Sequence, residues 1–404
     1  MDVIETEVAL AERIRDAQGP IRVLGGGTRA IGRPVQGEAL SVAGLSGVVD
    51  YEPGALTLVV KAGTPLDEIE QTLAADGQRL AFEPMDHRGI LGVEGTPTIG
   101  GVVAGNVSGP RRIAVGACRD FLLGVRFVDG AGRILKNGGR VMKNVTGYDL
   151  VRLMAGSRGT LGVLSEISLK VLPTPETVAT LTVHGAEGGG ALDAMTRAIT
   201  SPFEVTGAAH VPGSASAVHL RLEGFSGSVA YRVEQLKSRL YDLGEVTVET
   251  APDSSAELWR KIRDVEPLQD AYALWRVSMK PSAVYAGLLP AMSERAQCDY
   301  LMDWAGGECW IALSEKEAAS LAKAHGGDDA ADGAAWLHRG LQEAVADRQI
   351  NQGGGGHATL IKGPDALRGA VSVFQPESAP VAALTAGLRQ KFDPKGILNP
   401  GLMG

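Results

Sequence analysis

The sequence is poor in several features on which common classes of protein depend. Cysteine occurs only three times in 404 residues, as Cys118, Cys298 and Cys309, and no two of these form a CxxC pair. Such spacing provides neither a disulfide framework nor the four ligands of an iron–sulfur cluster, so we expect buried free thiols. No apolar run reaches the roughly 18 residues of a membrane-spanning helix, and a transmembrane segment is not expected.

An excess of basic charge is also missing. Lys and Arg number 39 against 47 Asp and Glu, which gives a formal net charge of −8. A nucleic-acid-binding surface needs a basic stripe, so nucleic acid is not expected as a partner. The acidic start, MDVIETEVAL, lacks the basic and apolar regions of a secretory signal. These features predict a cytoplasmic protein, with peripheral attachment to the inner membrane through a complex left open.

Glycine, in contrast, is abundant, and its first cluster follows a predicted strand at residues 21–24. The run Gly25-Gly26-Gly27-Thr28-Arg29 partly matches the G-x-G-x-x-G/A dinucleotide fingerprint. That fingerprint requires a helix directly after the glycines, but further Gly and Pro residues interrupt the chain as far as Gly47. We therefore interpret the run as a nest of backbone amides for a diphosphate; taken alone, it is equally typical of a flexible turn.

A second cluster, residues 95–109, consists of small uncharged residues without a helical period. Glycine lets a backbone approach a ligand closely, so this stretch is predicted to wrap an elongated ligand. Thr98, Asn106 and Ser108 are its candidate polar contacts. Two such clusters about 70 residues apart favour a shared ligand over two unrelated turns.

The remaining patterns predict a mixed architecture. Thr64 is the expected N-cap of a helix with Pro65 in its first turn, and residues 326–335 are expected to form a surface insertion. Pro173 and Pro175 mark a boundary. Apolar alternation and turn signals predict strands at 48–51, 56–60, 124–128, 133–136 and 163–172, and a helix at 148–155.

The order of these motifs resembles the FAD-binding domain of the vanillyl-alcohol oxidase and p-cresol methylhydroxylase (PCMH) superfamily. Four blocks carry the resemblance: residues 25–28, 98–106, 119–120 and 159–167. Further blocks at 140–150, 274–276, 303–304 and 392–403 are similar to the family of FAD-binding E subunits of glycolate oxidase.

The resemblance implies an α+β fold with FAD bound between two α/β subdomains. The PCMH-type FAD-binding domain would span residues 1–175. An α+β cap domain would span 176–404, with its C-terminal tail returning to the FAD domain. The residues expected to contact the cofactor are Gly25, Gly26, Gly27, Thr28, Arg29, Pro97, Thr98, Gly100, Gly101, Ala104, Asn106, Ser108, Arg119, Asp120, Gly162, Val163 and Ile167.

Two departures from the superfamily pattern bear on the chemistry. Many members attach the flavin to a histidine near the first glycine run, where this sequence has Thr28 and Arg29, so we expect non-covalent FAD. Related hydroxyacid dehydrogenases place closely spaced histidines in the cap, often around a metal. The seven histidines here include no such pair, and no metal is expected.

Oxidation of a 2-hydroxy acid needs a proton acceptor and a cation for the carboxylate. The candidate acceptor is His357 after four glycines, for which an ordinary loop or core role is the alternative. Arg276 is the candidate cation, with a structural salt bridge as its alternative. Lys143 and Tyr148 either border the flavin or serve the helix nearby.

Three functions remain open from the sequence. The first is an FAD-dependent 2-hydroxyacid dehydrogenase subunit acting on glycolate or a similar acid. The second is a flavin-binding assembly subunit that does not turn over substrate. The third is a stand-alone oxidase. The resemblance implies a complex with a catalytic flavoprotein paralogue and an iron–sulfur subunit, because this chain has too few cysteines for its own cluster.

Overall fold

The computed structural model describes residues 2–140 and 147–404. Its strands are β1 Asp2–Val3, β2 Ile21–Leu24, β3 Glu38–Ser41, β4 Val48–Glu52, β5 Thr57–Lys61, β6 Gln78–Arg79, β7 Leu122–Val128, β8 Ile134–Gly138, β9 Val163–Lys170, β10 Leu172–Pro173, β11 Thr177–His184, β12 Gly207–Val211, β13 Ala217–Gly224, β14 Val246–Glu249, β15 Ala273–Met279, β16 Asp299–Asp303, β17 Glu308–Leu313 and β18 Gly356–Lys362.

The α-helices are spread along the chain among these strands. They are α1 Glu7–Asp16, α2 Leu66–Ala74, α3 Arg88–Leu91, α4 Ile99–Gly105, α5 Arg112–Val115, α6 Leu150–Met154, α7 Gly188–Ile199, α8 Ser226–Leu240, α9 Pro252–Arg263, α10 Pro281–Ala283, α11 Leu289–Ser293, α12 Glu315–His325, α13 Ala330–Ala346, α14 Asp365–Ala370 and α15 Ala379–Phe392. Short 3₁₀ turns lie at Pro53–Ala55, Cys118–Phe121, Glu266–Leu268 and Trp304–Gly306, and a π-helical turn at Val284–Leu288.

The first sheet is small and parallel, with strand order β1-β3-β2. Helix α1 packs its buried Leu10 and Ile14 against this unit. The C-terminal segment extends the sheet, because Leu398 forms a parallel bridge with Ile21. Asn399 fixes this contact through its side chain, whose Oδ1 accepts a hydrogen bond from the Val23 amide at 2.8 Å.

The second sheet is antiparallel, with order β4-β5-β9-β7-β8. It contains the strands predicted at 48–51 and 56–60, at 124–128 and 133–136, and from residue 163 onward. Those predictions are confirmed. Strand β9 is more buried than its alternating pattern indicated, since it lies in the middle of the sheet between β5 and β7. The core beneath it joins this sheet to α2 and α4.

The third sheet has eight antiparallel strands in the order β14-β11-β13-β12-β16-β17-β15-β18. Helices α7 and α8 cover one face near β11 and β13. Helices α12 and α13 lie over the same face near β18, where Trp275 is fully buried. The opposite face carries Leu274, Leu301 and Trp310 into the core that it shares with the second sheet.

A buried ionic network joins the third sheet to the N-terminal part of the chain. Arg111 donates two hydrogen bonds to Glu223 on β13, at 2.7 and 2.6 Å. Arg221 on the same strand donates two to Glu83, at 2.9 and 2.8 Å. Arg79 adds a further contact to Glu223 at 2.8 Å. Buried charges are expensive unless they are paired in this way, so the network fixes how the two parts dock.

Several local predictions were wrong. Residues 99–105 form helix α4 within the supposedly irregular glycine cluster. Residues 330–335 open helix α13 and bury several alanines, so this stretch is not a loose insertion. Helix α2 begins one residue late, after Pro65, because the Thr64 hydroxyl bonds to Lys61 and Gly47 rather than to the helix amides. The predicted helix at 148–155 is shortened to Leu150–Met154.

Candidate functional site

A cavity of about 600 Å³ opens between the first sheet, helix α4 and strand β15. Most of the residues singled out from the sequence lie on its wall. These are Gly25, Gly26, Gly27, Thr28, Arg29, Thr98, Gly100, Gly101, Ala104, Gly162, Val163 and Arg276. The structure therefore brings the two glycine clusters together around one space.

The first glycine run leaves β2 as an open loop with no helix after it. A side chain at Gly26 would place its Cβ 1.6 Å from the Thr96 carbonyl oxygen, so the run lies directly against the second cluster. Gly27 has a φ of +74°, which a residue with a side chain rarely adopts. Among the described residues, no hydrogen bond is donated by the backbone amides of residues 25–30. These amides are available to a ligand, as the nest hypothesis requires.

The second cluster is ordered by helix α4. The Thr98 hydroxyl caps the helix by accepting from the Gly101 amide at 3.4 Å. Gly100 has no room for a side chain, because its Cβ would lie 2.7 Å from the Ala62 carbonyl oxygen. The small residues thus allow α4 to sit tightly against Ala62, directly after β5, and to present Gly101 and Ala104 to the cavity.

Several predicted cofactor contacts do not line the cavity, and three of them make structural hydrogen bonds instead. Asn106 ends α4 in a left-handed conformation, and its Oδ1 accepts from the Arg119 amide at 3.0 Å. The Ser108 hydroxyl accepts from the Cys118 amide at 2.9 Å. Asp120 accepts from the Ala117 amide at 2.9 Å.

Of the other predicted residues, Ile167 lies on β9 and points into the core, and Pro97 and Arg119 are also absent from the cavity wall. His357 lies on β18 opposite Ser278 and is exposed; it does not line the cavity, although burial and then the charge of Arg276 lower its pKa. Tyr148 is exposed, while Lys143 falls outside the described residues. Arg276, in contrast, reaches the cavity from β15.

Sequence reasoning missed several residues on the wall. Arg158 directly precedes one of the recognised motifs, but His87 had no motif around it. Arg33 and Arg368 also line the cavity, and no local pattern pairs them because they lie near opposite ends of the chain. Asn399 belongs to the recognised tail, and its Nδ2 donates to the Arg158 carbonyl oxygen at 2.9 Å.

Helix α14 holds the loop that follows the first glycine run. Arg368 donates to the Gly32 carbonyl oxygen from Nε at 3.0 Å and from Nη2 at 2.7 Å. Arg33 returns a hydrogen bond to the Gly369 carbonyl oxygen at 2.6 Å. We name this pair of contacts the α14 latch. It closes one end of the cavity with residues that are distant in sequence.

Positive charge is concentrated where Arg29, Arg158 and Arg276 surround His87 on the cavity wall, and we call this part its cationic end. Burial lowers the pKa of Arg29 to about 10 and that of Arg158 to about 10. The pKa of His87 is held well below its usual value, first by burial and then by the charges of Arg29, Arg276 and Arg158. His87 is therefore neutral near pH 7, while Arg29 and Arg158 still carry their protons. This end suits an anion.

These features fit a dinucleotide flavin. Free amides at the first glycine run suit a pyrophosphate, and the elongated wall of small residues admits a cofactor with little steric obstruction. No group of three or more metal-ligating side chains occurs within residues 2–140 and 147–404. Within those ranges no helix is long and apolar enough to cross a membrane. Cys118 and Cys309 are buried free thiols, as predicted, and Cys298 is partly exposed.

Comparison with known proteins agrees with this description. Residues 4–138 match the family described as FAD binding domain. Glycolate oxidase subunit GlcE of Escherichia coli K12 is 35% identical over 98% of this chain and 96% of its own length. Glycolate oxidase subunit GlcD of Bacillus subtilis is 33% identical over 40% of this chain and 34% of its length. D-lactate dehydrogenase of Anaerostipes hadrus is 30% identical over 44% and 37%.

Solved structures share the fold at low sequence identity. A 4-ethylphenol oxidase from Gulosibacter chungangensis aligns over 100% of this chain and 88% of its own, with a TM-score of 0.70 and 13% identity. An alkyldihydroxyacetonephosphate synthase aligns over 98% and 76%, with a TM-score of 0.69 and 15% identity.

The fold and the matched domain define an FAD-binding flavoprotein of the PCMH type, which confirms the fold class and cofactor expected from the motifs. Within that class, the chain belongs to the family of glycolate oxidase subunit GlcE.

Proposed function

We propose that this chain is a subunit of a glycolate oxidase complex that binds FAD non-covalently in the cavity. The main support is the meeting of the two glycine clusters on one wall, with the amides of residues 25–30 free to bind phosphate. Thr28 and Arg29 stand where a covalently attaching histidine would be needed, which favours a dissociable flavin.

The proposed reaction is oxidation of glycolate, or of a similar small 2-hydroxy acid, to the 2-oxo acid. FAD, when bound, supplies the hydride-accepting chemistry that amino-acid side chains lack. The chain contributes binding, orientation and charge, with Arg276 facing the cavity as a candidate partner for the substrate carboxylate. Relatives named as glycolate oxidase subunits and D-lactate dehydrogenase support this substrate class.

We assign the FAD-binding domain to residues 1–175 and the cap domain to 176–404, with the tail returning to the former through Leu398 and Asn399. The partners are a catalytic flavoprotein paralogue and an iron–sulfur subunit that takes electrons onward. A cytoplasmic location, peripheral to the inner membrane through the complex, is consistent with these partners.

The flavin proposal is tested on the purified chain. Its absorbance spectrum should show the band of an oxidised flavin at roughly 450 nm. Acid precipitation should release the yellow cofactor into the supernatant, because the flavin is not covalently bound. A colourless protein that also fails to bind added FAD would contradict the proposal.

Anaerobic glycolate separates the three roles. Bleaching of the flavin in the isolated chain supports a subunit that oxidises substrate itself. A flavin that bleaches only after the partner subunits are added supports the assembly role. Peroxide release in air from the chain alone would indicate a stand-alone oxidase.

A further inference from the structure

Four side chains from distant parts of the sequence meet at the cationic end of the cavity. Arg29 follows the first glycine run, His87 precedes α3, Arg158 precedes β9, and Arg276 comes from β15 of the third sheet. We call these residues the arginine–histidine cluster. Three of its members, Arg29, His87 and Arg158, belong to the N-terminal part of the chain. Arg276 belongs to the part beyond the predicted boundary.

The arginines of this cluster are poorly neutralised by the protein. Arg29 donates to the Thr28 hydroxyl at 3.4 Å and to the Met85 carbonyl oxygen at 3.1 Å, and both acceptors are uncharged. Its Nε is buried and has no hydrogen-bond partner within the described residues. Asp86 is the carboxylate that acts on Arg29, but it is already bound to Arg88 through two oxygens.

The charges of Arg158 and Arg276 are also only weakly balanced by neighbouring residues. The Arg158 guanidinium lies 5.0 Å from the centre of the Phe374 ring and forms no ion pair within residues 2–140 and 147–404. Arg276 forms an ion pair with Glu308, with 3.8 Å between its Nε and the Glu308 Oε1, but this Nε is buried and has no hydrogen-bond partner in that part of the chain. Like charges held together in a partly desolvated wall are costly unless an anion joins them.

His87 supplies a polar group of a different kind. Its side chain is only 4% exposed, yet it lines the cavity. Its Nδ1 is buried and has no hydrogen-bond partner among the described residues. A buried polar atom without a partner loses free energy that a ligand can restore. Burial and the three arginines lower the pKa of His87 by more than the Met85 backbone raises it, so the imidazole stays neutral and one of its ring nitrogens keeps a lone pair for accepting a hydrogen bond.

We propose that Arg29, Arg158 and Arg276 bind the carboxylate of a small 2-hydroxy acid and that His87 accepts a hydrogen bond from its hydroxyl group. This assignment rests on the proposed function and places the substrate partner at His87 rather than at His357. A carboxylate satisfies the guanidinium groups, and a hydroxyl on the adjacent carbon satisfies Nδ1. The cluster would therefore select an acid with a hydroxyl next to its carboxylate.

Binding can be measured without turnover by using 2-hydroxyisobutyrate, which has no hydrogen on the hydroxyl-bearing carbon and cannot be oxidised to a 2-oxo acid. Isobutyrate is the matched probe without the hydroxyl. Calorimetric titration of the flavin-loaded chain should show tighter binding of 2-hydroxyisobutyrate. Arg158→Met should weaken the binding of both probes by about tenfold or more, since a charge-assisted contact is lost. Arg152→Met, an exposed arginine on α6, should change neither.

Two variants of His87 isolate its role. His87→Phe should lower the affinity for 2-hydroxyisobutyrate to that for isobutyrate, leaving the latter unchanged. His87→Asn, whose side-chain oxygen can replace Nδ1 as an acceptor, should retain part of the preference. Flavin content is recorded for every variant from the absorbance spectrum, and folding from the thermal midpoint.

The outcomes are distinct. Equal affinity of the wild-type protein for the two probes, or unchanged binding in Arg158→Met, would overturn the cluster as a substrate site while leaving the flavin proposal intact. Loss of flavin in Arg158→Met, with normal probe affinity in the fraction still loaded, would assign the arginine to the cofactor and also overturn it. A wild-type chain that holds no flavin contradicts the proposed function itself.

Discussion

Gly26 shows how one missing side chain permits the two glycine clusters to meet. An added Cβ at this position would lie 1.6 Å from the Thr96 carbonyl oxygen. Gly26→Ala must therefore push the clusters apart, and overpacking of this kind typically costs about 1 to 3 kcal/mol. We expect a lower thermal midpoint and a reduced ratio of flavin to protein, measured by calorimetry and absorbance.

The matched control is Gly19→Ala, because an added Cβ there meets nothing within 4 Å. It should leave both quantities close to wild type. If Gly26→Ala retained the wild-type midpoint and flavin content, the close contact between the clusters would not be required.

Asp303 illustrates the opposite case, a charge that the fold disfavours. Burial raises the pKa of Asp303 well above its usual value, and the nearby Glu308 carboxyl raises it further. An acid whose pKa is raised on folding destabilises the fold increasingly as the pH rises from its unfolded pKa to its folded pKa. The Asp303 Oδ1 accepts from the Trp304 amide at 2.7 Å, a contact that asparagine preserves.

Asp303→Asn should therefore be more stable than the wild type at neutral pH, by about 1 to 3 kcal/mol. The advantage should disappear below about pH 4, where the carboxyl is protonated in both the folded and the unfolded state. Urea unfolding at pH 7 and pH 4 measures both differences. A variant that is less stable than the wild type at pH 7 would show that the ionised carboxylate is needed.

Helices and strands differ in how far their local sequence determines where they form. Gly124–Val128 and Arg133–Lys136 were predictable because a short turn joins strands that pair with each other. Helix α4 was not, since its glycines carry a low helix propensity and its stability comes from the close fit of Gly100 against Ala62. Such tertiary support leaves no periodic signal in the sequence.

The same distinction applies to the candidate site. The glycine clusters and the tail were recognisable as motifs. Arg276 lies on the cavity wall and also pairs with Glu308, so its role toward a substrate stays a prediction. His87 was passed over because a single histidine has no spacing to interpret, and only the fold brings it beside Arg158. The assignment of individual residues to the flavin stays a prediction.

The α14 latch joins a helix to the loop after the first glycine run, and its effect on the flavin can be measured. Arg368→Met removes both hydrogen bonds to the Gly32 carbonyl oxygen, so the loop after the first glycine run loses its anchor. We expect faster flavin release, by about tenfold, with a small change in the thermal midpoint. Flavin fluorescence after dilution follows the release.

Arg260→Met provides a matched control, because Arg260 is exposed and its ion-pair partners, Glu257, Asp264 and Glu266, do not line the cavity. It should release flavin at the wild-type rate. An unchanged rate in Arg368→Met would mean that the latch does not hold the cofactor.

At the scale of the whole molecule, the buried ionic network should make docking of the third sheet sensitive to acid. Although burial raises the pKa of Glu223 and Glu83, the hydrogen bonds and charges of Arg111 and Arg221 outweigh it, so both pKa values lie below the usual range. Carboxylates with lowered pKa values stabilise the fold above their unfolded pKa, and this stability is lost as the pH falls.

We therefore expect the free energy of unfolding to decrease as the pH falls below about 4.5, the region where unfolded glutamates take up protons. Glu223→Gln should cost about 3 to 5 kcal/mol at pH 7, because it leaves buried arginines unpaired, and should reduce the dependence on pH. Urea titrations across this range provide the measurement. Glu204→Gln, at an exposed position, should behave like the wild type.

The parallel bridge between Leu398 and Ile21 has a consequence for biosynthesis. Asn399 contacts Val23 from a position 376 residues further along the chain, and it also holds the backbone of Arg158. During translation, the segment that completes this wall emerges 376 residues after Val23. Loading of the coenzyme must therefore be a late event, and a nascent polypeptide stalled before Ile397 would expose an unfinished cradle.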